Sequence, residues 1–109
     1  MQALAADPRN PVALKNLGAI LCKEGDSLRA LYYLRQSLEI DPLDPQTVYG
    51  LAFAYMELGD IEQAQKHFQK VLALEAPEEL RVLARDGLRK IAGRELKARG
   101  PRMDVVAIC

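Results

Sequence analysis

The sequence has few or none of several residue types on which whole classes of protein depend. It contains no tryptophan, four tyrosines, two phenylalanines and only two cysteines, Cys22 and Cys109. These cysteines lie too far apart for metal-ligand or redox spacing, and two cysteines do not make the disulfide framework of a small secreted domain. We therefore predict a reduced, cytoplasmic setting.

Long apolar runs and net charge are also missing. No apolar run approaches the eighteen or so residues of a membrane span, and the N-terminus lacks the basic start and apolar stretch of a signal peptide. Fifteen basic residues balance fifteen acidic ones, so no global field attracts nucleic acid or anionic lipid. We expect binding to neither. The charges are nonetheless segregated. The charged residues between 39 and 80 are mostly acidic, and those between 81 and 102 are mostly basic.

What the sequence does contain is a repeat of thirty-four residues. The residues that coincide after one period are those that build or end helices. The coinciding pairs are Asp7 and Asp41, Pro8 and Pro42, Pro11 and Pro45, Leu17 and Leu51, Gly25 and Gly59, Asp26 and Asp60, and Ala30 and Ala64. A fixed period of this length is typical of a solenoid, in which each repeat buries its apolar face against its neighbours.

Each period predicts two antiparallel helices. Apolar residues between 11 and 24 recur at helical spacing, and Asn10 before Pro11 is a suitable N-cap, as is Asp44 before Pro45. Gly25 and Gly59 supply left-handed residues that end the first helix of each pair, and Asp26 and Asp60 can cap the second helices. Connections this short require consecutive helices to pack antiparallel.

A third segment, from Pro77 to Arg99, predicts a longer helix that Gly100 and Pro101 end. Its positions predicted to face inward are Leu80, Leu83, Ala84, Leu88, Ile91, Ala92 and Leu96. Gly93 falls on the period set by Gly25 and Gly59. A kink or turn at Gly93, within a decayed third repeat, is therefore the alternative to a continuous helix.

The pattern around each helix pair resembles the tetratricopeptide repeat. The first repeat holds the signature residues Leu14, Leu17, Gly18, Leu21, Gly25, Ala30, Leu34, Ser37 and Pro42. The second holds Val48, Leu51, Ala52, Tyr55, Gly59, Ala64, Phe68, Val71 and, displaced by one position, Pro77. This resemblance implies an all-α fold, an α-solenoid of antiparallel helix pairs wound into a superhelix.

The same resemblance gives the domain organisation that we expect. The chain is interpreted as one domain of 109 residues and as a fragment of a longer protein or a short variant of one. The predicted divisions are residues 1–10 as the end of a preceding repeat, 11–44 and 45–78 as two repeats, 79–100 as a capping helix, and 101–109 as a tail or the start of a further helix.

The resemblance also implies that the first helix of each repeat lines a concave groove. The candidate peptide-binding residues there are Lys15, Asn16, Ala19, Lys23, Tyr49, Phe53 and Met56. Aromatic and Met side chains with a polar rim suit an apolar helix or an extended segment. The alternative is that these apolar side chains are buried beneath the third helix or a neighbouring repeat. Similar repeats that clamp chaperone tails match here at Lys15 but not at Ala19, Gly50, Leu80 or Ala84.

The sequence gives little evidence of a catalytic site. A lone His67 has no Asp, Cys or Ser partner at readable spacing, so we interpret it as a solvent-facing structural residue. No phosphate-binding loop, zinc motif or redox motif is present, and we predict neither an enzyme nor a cofactor nor a metal. The basic helix around Arg81, Arg85 and Arg89 has no interleaved aromatics for base stacking, which favours a solvated end-cap over a nucleic-acid site.

The sequence thus predicts a protein–protein interaction module or scaffold, which binds a protein or peptide partner in the groove. The alternative is a purely structural segment that has no ligand of its own. Such a segment packs against the rest of a larger protein or self-associates through exposed apolar ends. Helix two of the first repeat favours such a contact, because Leu28, Leu31, Tyr32 and Tyr33 make it apolar on more than its core side.

Overall fold

A computed structural model describes the backbone of residues 10–108 and the side chains of residues 10–93. The described residues form five α-helices, and no strand occurs among them. The helices are α1 (Pro11–Lys23), α2 (Ser27–Ile40), α3 (Pro45–Leu58), α4 (Ile61–Ala73) and α5 (Glu78–Ile108). The predicted end of a preceding repeat, at residues 1–10, falls almost wholly outside the described residues.

The predicted N-caps are confirmed at the first four helices. The Asn10 side chain accepts hydrogen bonds from the backbone N–H groups of Val12 (2.9 Å) and Ala13 (3.2 Å) at the start of α1. Asp26, Asp44 and Asp60 each accept one bond from the N–H group of a first-turn residue in α2, α3 and α4. These acceptors satisfy N–H groups that have no partner within the helix.

The predicted helix ends at Gly25 and Gly59 are confirmed as well. Both glycines have positive φ, +83° and +86°, a conformation that side chains of L-residues rarely adopt. After each glycine the chain turns back so sharply that the N–H group of Asp26 bonds the carbonyl of Leu21, and that of Asp60 bonds the carbonyl of Tyr55. Two antiparallel hairpins, α1–α2 and α3–α4, follow from these turns.

The hairpins stack side by side and α5 packs at the end of the stack. α3 packs on α2 and α1, and α5 packs on α4 and α3. One buried cluster joins the first hairpin to α3 and consists of Leu21, Ala30, Leu34 and Leu51. A second, larger cluster joins α3, α4 and α5 around Phe68. The predicted all-α solenoid of antiparallel helix pairs is confirmed.

The contact between successive units shows that α5 does not keep the thirty-four-residue register. Gly50 lies against the side chain of Leu34, and a Cβ atom there would be 3.1 Å from Leu34 Cδ1. Gly87 lies in the same way against Phe68, which is one period after Leu34, but Gly87 is thirty-seven residues after Gly50. Relative to this contact, α5 therefore begins about one turn earlier than α3 does.

The shift corrects two of the positions predicted to face inward on α5. Leu83 is 47% exposed, and Ala92 is exposed too. In the shifted register Leu83 corresponds to Gln46, which is exposed, and Ala92 corresponds to Tyr55, whose ring is covered by His67 of α4. Among residues 10–93 no further helix packs against Ala92, so it stays exposed.

The backbone also corrects the predicted end of α5. The helix continues through Gly93 without a break and passes Gly100 and Pro101 to reach Ile108. A proline inside a helix removes one hydrogen bond, but its fixed φ near −65° is helical, so it need not end the helix. The predicted inward position of Leu96 falls outside the described side chains.

Candidate functional site

A concave groove runs between α1 and α3, and Leu80 at the start of α5 also lines it. It encloses about 410 Å³, within the range of ligand-binding clefts. Its lining residues are Lys15, Asn16, Ala19, Cys22 and Lys23 from α1, Leu34 from α2, Gln46, Tyr49, Gly50 and Phe53 from α3, and Leu80 from α5. The groove is therefore built from four helices.

Small residues open the floor of the groove. Gly50 has no side chain, and a Cβ atom at this position would already press on Leu34 at 3.1–3.3 Å. Ala19 stands one period before Phe53, so the first hairpin has a methyl group where the second has an aromatic ring. The cavity exists because α1 carries little bulk at this position while Leu34 forms an apolar floor.

Two aromatic rings form one wall of the groove. Tyr49 and Phe53 lie one turn apart on α3, with ring centroids 6.5 Å apart, and each is half-buried. The Tyr49 ring also lies 5.7 Å from the buried ring of Phe68, which fixes its position. Burial, together with the nearby carboxylate of Asp86 and the thiol of Cys22, raises the pKa of Tyr49. Tyr49 is thus a neutral, anchored wall residue.

A partly buried ion pair ties the two hairpins together at one end of the groove. Lys15 Nζ lies 3.1 Å from Asp44 Oδ2 and donates a hydrogen bond of 2.9 Å to Gln46 Oε1. Burial opposes ionisation of Asp44, but hydrogen bonds from Thr47, Lys15 and the Gln46 N–H group, with the Lys15 charge, outweigh it and lower the pKa of Asp44. Lys15 is therefore both a groove residue and a structural link.

The thiol of Cys22 faces the same groove from α1. Burial, and to a smaller extent the negative charge of Glu57, raises the pKa of Cys22. A thiol with a raised pKa holds little thiolate near neutral pH, so it reacts slowly. Cys22 accordingly serves as an apolar part of the lining rather than as a nucleophile.

Six of the seven predicted site residues lie together in this groove, and Met56 does not. Met56 is only 5% exposed and belongs to the buried cluster around Phe68. The alternative of burial therefore applies to Met56, which lies in the cluster that joins α3, α4 and α5. Phe53 and Tyr49 are half-buried. One face of each ring contacts the core, and the other face lines the groove.

Sequence reasoning missed Leu34 and Leu80 as groove residues. Leu34 is on the second helix of its hairpin, and the family pattern assigns that helix to the interior. Leu34 lines the groove only because Gly50 has no side chain to cover it. The position of Leu80 depends on the extra turn of α5. A glycine opposite a large apolar residue was the one signal available in the sequence.

Most of the other residues that were candidates for a catalytic or nucleic-acid site make contacts within the chain. His67 is half-buried rather than solvent-facing, with Nδ1 2.8 Å from the carbonyl of Gln63 and its ring against Tyr55. Arg81 donates to the carbonyl of Leu72 at 2.9 Å. Arg85 lies 3.4 Å from Glu78 in an exposed ion pair. The basic helix is thus partly neutralised by its own contacts.

A metal site and a membrane-spanning helix are both absent from the described residues. Within that part of the chain, no group of three or more His, Cys, Asp or Glu side chains is arranged to hold a metal ion. Nor does any helix there combine the length and apolarity needed to cross a membrane.

Comparison with known proteins identifies the repeat. A family model described as Tetratricopeptide repeat matches residues 21–85, which is more than half of the chain, and a second model with the same description matches residues 1–32. The chain belongs to the tetratricopeptide repeat family. Tetratricopeptide repeats are generally protein-interaction modules and are typically not catalytic.

One curated relative is similar to part of the chain. Protein FlbA of Caulobacter vibrioides is 36% identical over 62 residues, a stretch that covers 57% of this chain. The same stretch spans about a tenth of the length of that relative (10%). The likeness therefore concerns a short segment of a larger protein.

Proposed function

We propose that the chain is a non-catalytic interaction module that takes an apolar segment of a partner protein, helical or extended, in the groove between α1 and α3. The observation that carries the proposal is the coincidence of an open apolar cavity with two half-exposed aromatic rings. Ala19 and Gly50 leave the space, and Tyr49 and Phe53 line it. Aromatic side chains in such pockets contribute most of the binding energy at protein interfaces.

The energetic case rests on apolar burial. An apolar side chain that moves from water into such a pocket gains about 1.5–3 kcal/mol, and the partner would also cover the exposed faces of Tyr49 and Phe53. The wall is rigid, because Tyr49 is held against Phe68. Little conformational entropy is lost when a partner binds a wall that is already ordered.

The sharpest test fills the groove without disturbing the fold. Ala19→Phe places in α1 the residue that α3 already carries at the equivalent position, so the helix should accept it. We expect peptides selected from a displayed library of random twelve-residue sequences to lose at least tenfold in affinity for this variant. Gln69→Phe adds the same ring at an exposed position on α4, outside the groove, and should leave binding unchanged.

Removal of the wall is the complementary test. Phe53→Ala should weaken the same peptides by about 2 kcal/mol, as hot-spot aromatics do. Tyr49→Ala is less informative, because Tyr49 also packs on the core residue Phe68. If no selected peptide distinguishes the unaltered chain from Ala19→Phe, while both fold, the groove is not the binding surface.

A second candidate function is favoured by one observation on the opposite side. Leu28 and Tyr32 on the outer face of α2 are 68% and 62% exposed. We infer from them the alternative in which this face packs on another protein surface or on a second copy, and the chain has no ligand of its own. The cytoplasmic setting predicted from the cysteines likewise remains a proposal.

A further inference from the structure

The charged side chains that line the groove are of one sign. Lys15 and Lys23 line it, and no Asp or Glu side chain of the described residues does. A cavity with apolar walls strengthens the field of the charges at its edge, because little water is present to screen them. The rim on the α1 side is therefore favourable for a negatively charged group.

The two lysines differ in what they can offer a partner. Lys15 is held by Asp44 and Gln46, and its side chain is only 21% exposed. Lys23 is exposed in the last turn of α1, and among the described side chains it has neither an ion-pair nor a hydrogen-bond partner. Lys23 is thus the cation that remains available at the mouth of the groove.

Negative charge lies on the opposite side. Glu57, on α3, is close enough to raise the pKa of Cys22, and Asp86, on α5, is close enough to raise that of Tyr49. Asp86 is itself 3.3 Å from Lys90. An acidic group of a partner would be attracted near Lys23, on the α1 side of the groove.

We infer that the partner segment carries an apolar anchor with an acidic side chain beside it, and that Lys23 receives the acidic group. The inference rests on the proposed function, since it concerns the same groove. Lys23 would act as a specificity-determining residue: the apolar anchor supplies most of the affinity, and the charge pair selects among apolar segments and sets their direction.

The test is a selection of displayed random twelve-residue peptides on the intact chain, with removal of those that also bind Ala19→Phe. The peptides that remain are groove-dependent. We expect Asp or Glu to be enriched next to a large apolar residue in them, and Lys and Arg to be depleted. Lys23→Glu should weaken these peptides about three- to tenfold, and Lys23→Gln by less.

Arg35→Glu is the matched control, because Arg35 is exposed, lies on α2 outside the groove and has no ion pair among the described side chains. It makes the same change in net charge and should leave affinity within twofold. Thermal unfolding of each variant shows whether it folds. Should Lys23→Glu fail to fold, the neutral Lys23→Gln variant carries the comparison.

The outcomes separate the two proposals. Groove-dependent peptides without acidic enrichment, or with equal affinity for the Lys23 variants, would overturn the role of Lys23 and leave the groove function standing. An equal loss with Arg35→Glu would show a general charge effect and would overturn it too. If no groove-dependent peptide is recovered, both proposals fail.

Discussion

The two hairpins share one plan of packing but differ on both of their exposed sides. Inside, Leu34 and Phe68 occupy equivalent positions, and each fills the space beside a glycine of the next unit. In the groove, the first hairpin has Ala19 where the second has Phe53. The period therefore fixes what must pack, and the two hairpins depart from the period at positions that this packing leaves open.

The outer faces show the opposite difference. Leu28 and Tyr32 of the first hairpin are exposed, whereas their equivalents in the second, Glu62 and Lys66, form an exposed ion pair at 3.5 Å. The fold exposes both pairs of positions. The fold therefore does not require apolar residues at these positions, and their presence in the first hairpin is a property of its sequence.

The largest expected effect tests the shared interior. Phe68→Ala should lower the free energy of unfolding by about 3–5 kcal/mol and Leu34→Ala by about 2–5 kcal/mol. Both side chains are almost fully buried, and each leaves a cavity that neighbouring helices cannot fill. Denaturant unfolding followed by circular dichroism measures both. A loss below about 1 kcal/mol at either position would show that the two hairpins are not packed on one plan.

The next effect tests the caps that begin α1 and α3. Asn10→Ala should cost about 1 kcal/mol. Asp44→Ala should cost more, about 1–2 kcal/mol, because Asp44 caps α3 and also pairs with Lys15. Denaturant unfolding of the two variants at pH 7 gives the comparison. Equal losses would mean that the ion pair between the hairpins contributes nothing measurable.

The pH dependence separates the charge of Asp44 from its cap. The folded pKa of Asp44 lies below the unfolded value of about 3.9. Its contribution is therefore fully present above about pH 4 and is lost as the pH falls through the folded pKa. We expect the difference in unfolding free energy between the unaltered chain and Asp44→Ala to shrink below pH 4, while that for Asn10→Ala should not change in this way.

Most of the fold was predictable because local signals and the period agree. Asn10, Asp44 and the two glycines Gly25 and Gly59 mark helix ends by their own hydrogen bonds and backbone preferences. These signals do not depend on tertiary structure. The six groove residues follow instead from the resemblance to the tetratricopeptide repeat, which implies that the first helix of each repeat lines the groove.

The errors share a tertiary cause. The apolar pattern of the third helix placed Leu83 and Ala92 inside, but α5 docks through Gly87 with an additional turn before the contact. Met56 was predicted to face the groove, but it lies in the buried cluster that α3 forms with α4 and α5. Nothing local in the sequence encodes where a helix docks on its neighbour.

The turn glycines give a matched pair of effects. Gly25→Ala and Gly59→Ala should each cost about 1–2 kcal/mol, because a Cβ atom makes the left-handed conformation unfavourable. No atom lies within 4 Å of the added Cβ at either position, so the cost is conformational and should be the same in both hairpins. Unequal losses in denaturant unfolding would show that the two turns are under different constraints.

The smallest expected effect on stability tests the outer face. Leu28→Glu together with Tyr32→Lys copies onto α2 the ion pair that Glu62 and Lys66 form on α4. Both positions are exposed, so the free energy of unfolding should change by no more than about 0.5 kcal/mol. If this face binds a second copy, sedimentation should show concentration-dependent association of the unaltered chain that the double variant abolishes. Association that survives the double variant would exclude this face. A chain that stays monomeric at all concentrations would remove the self-association alternative. The groove would then be the remaining difference between the hairpins at which we propose that a partner binds.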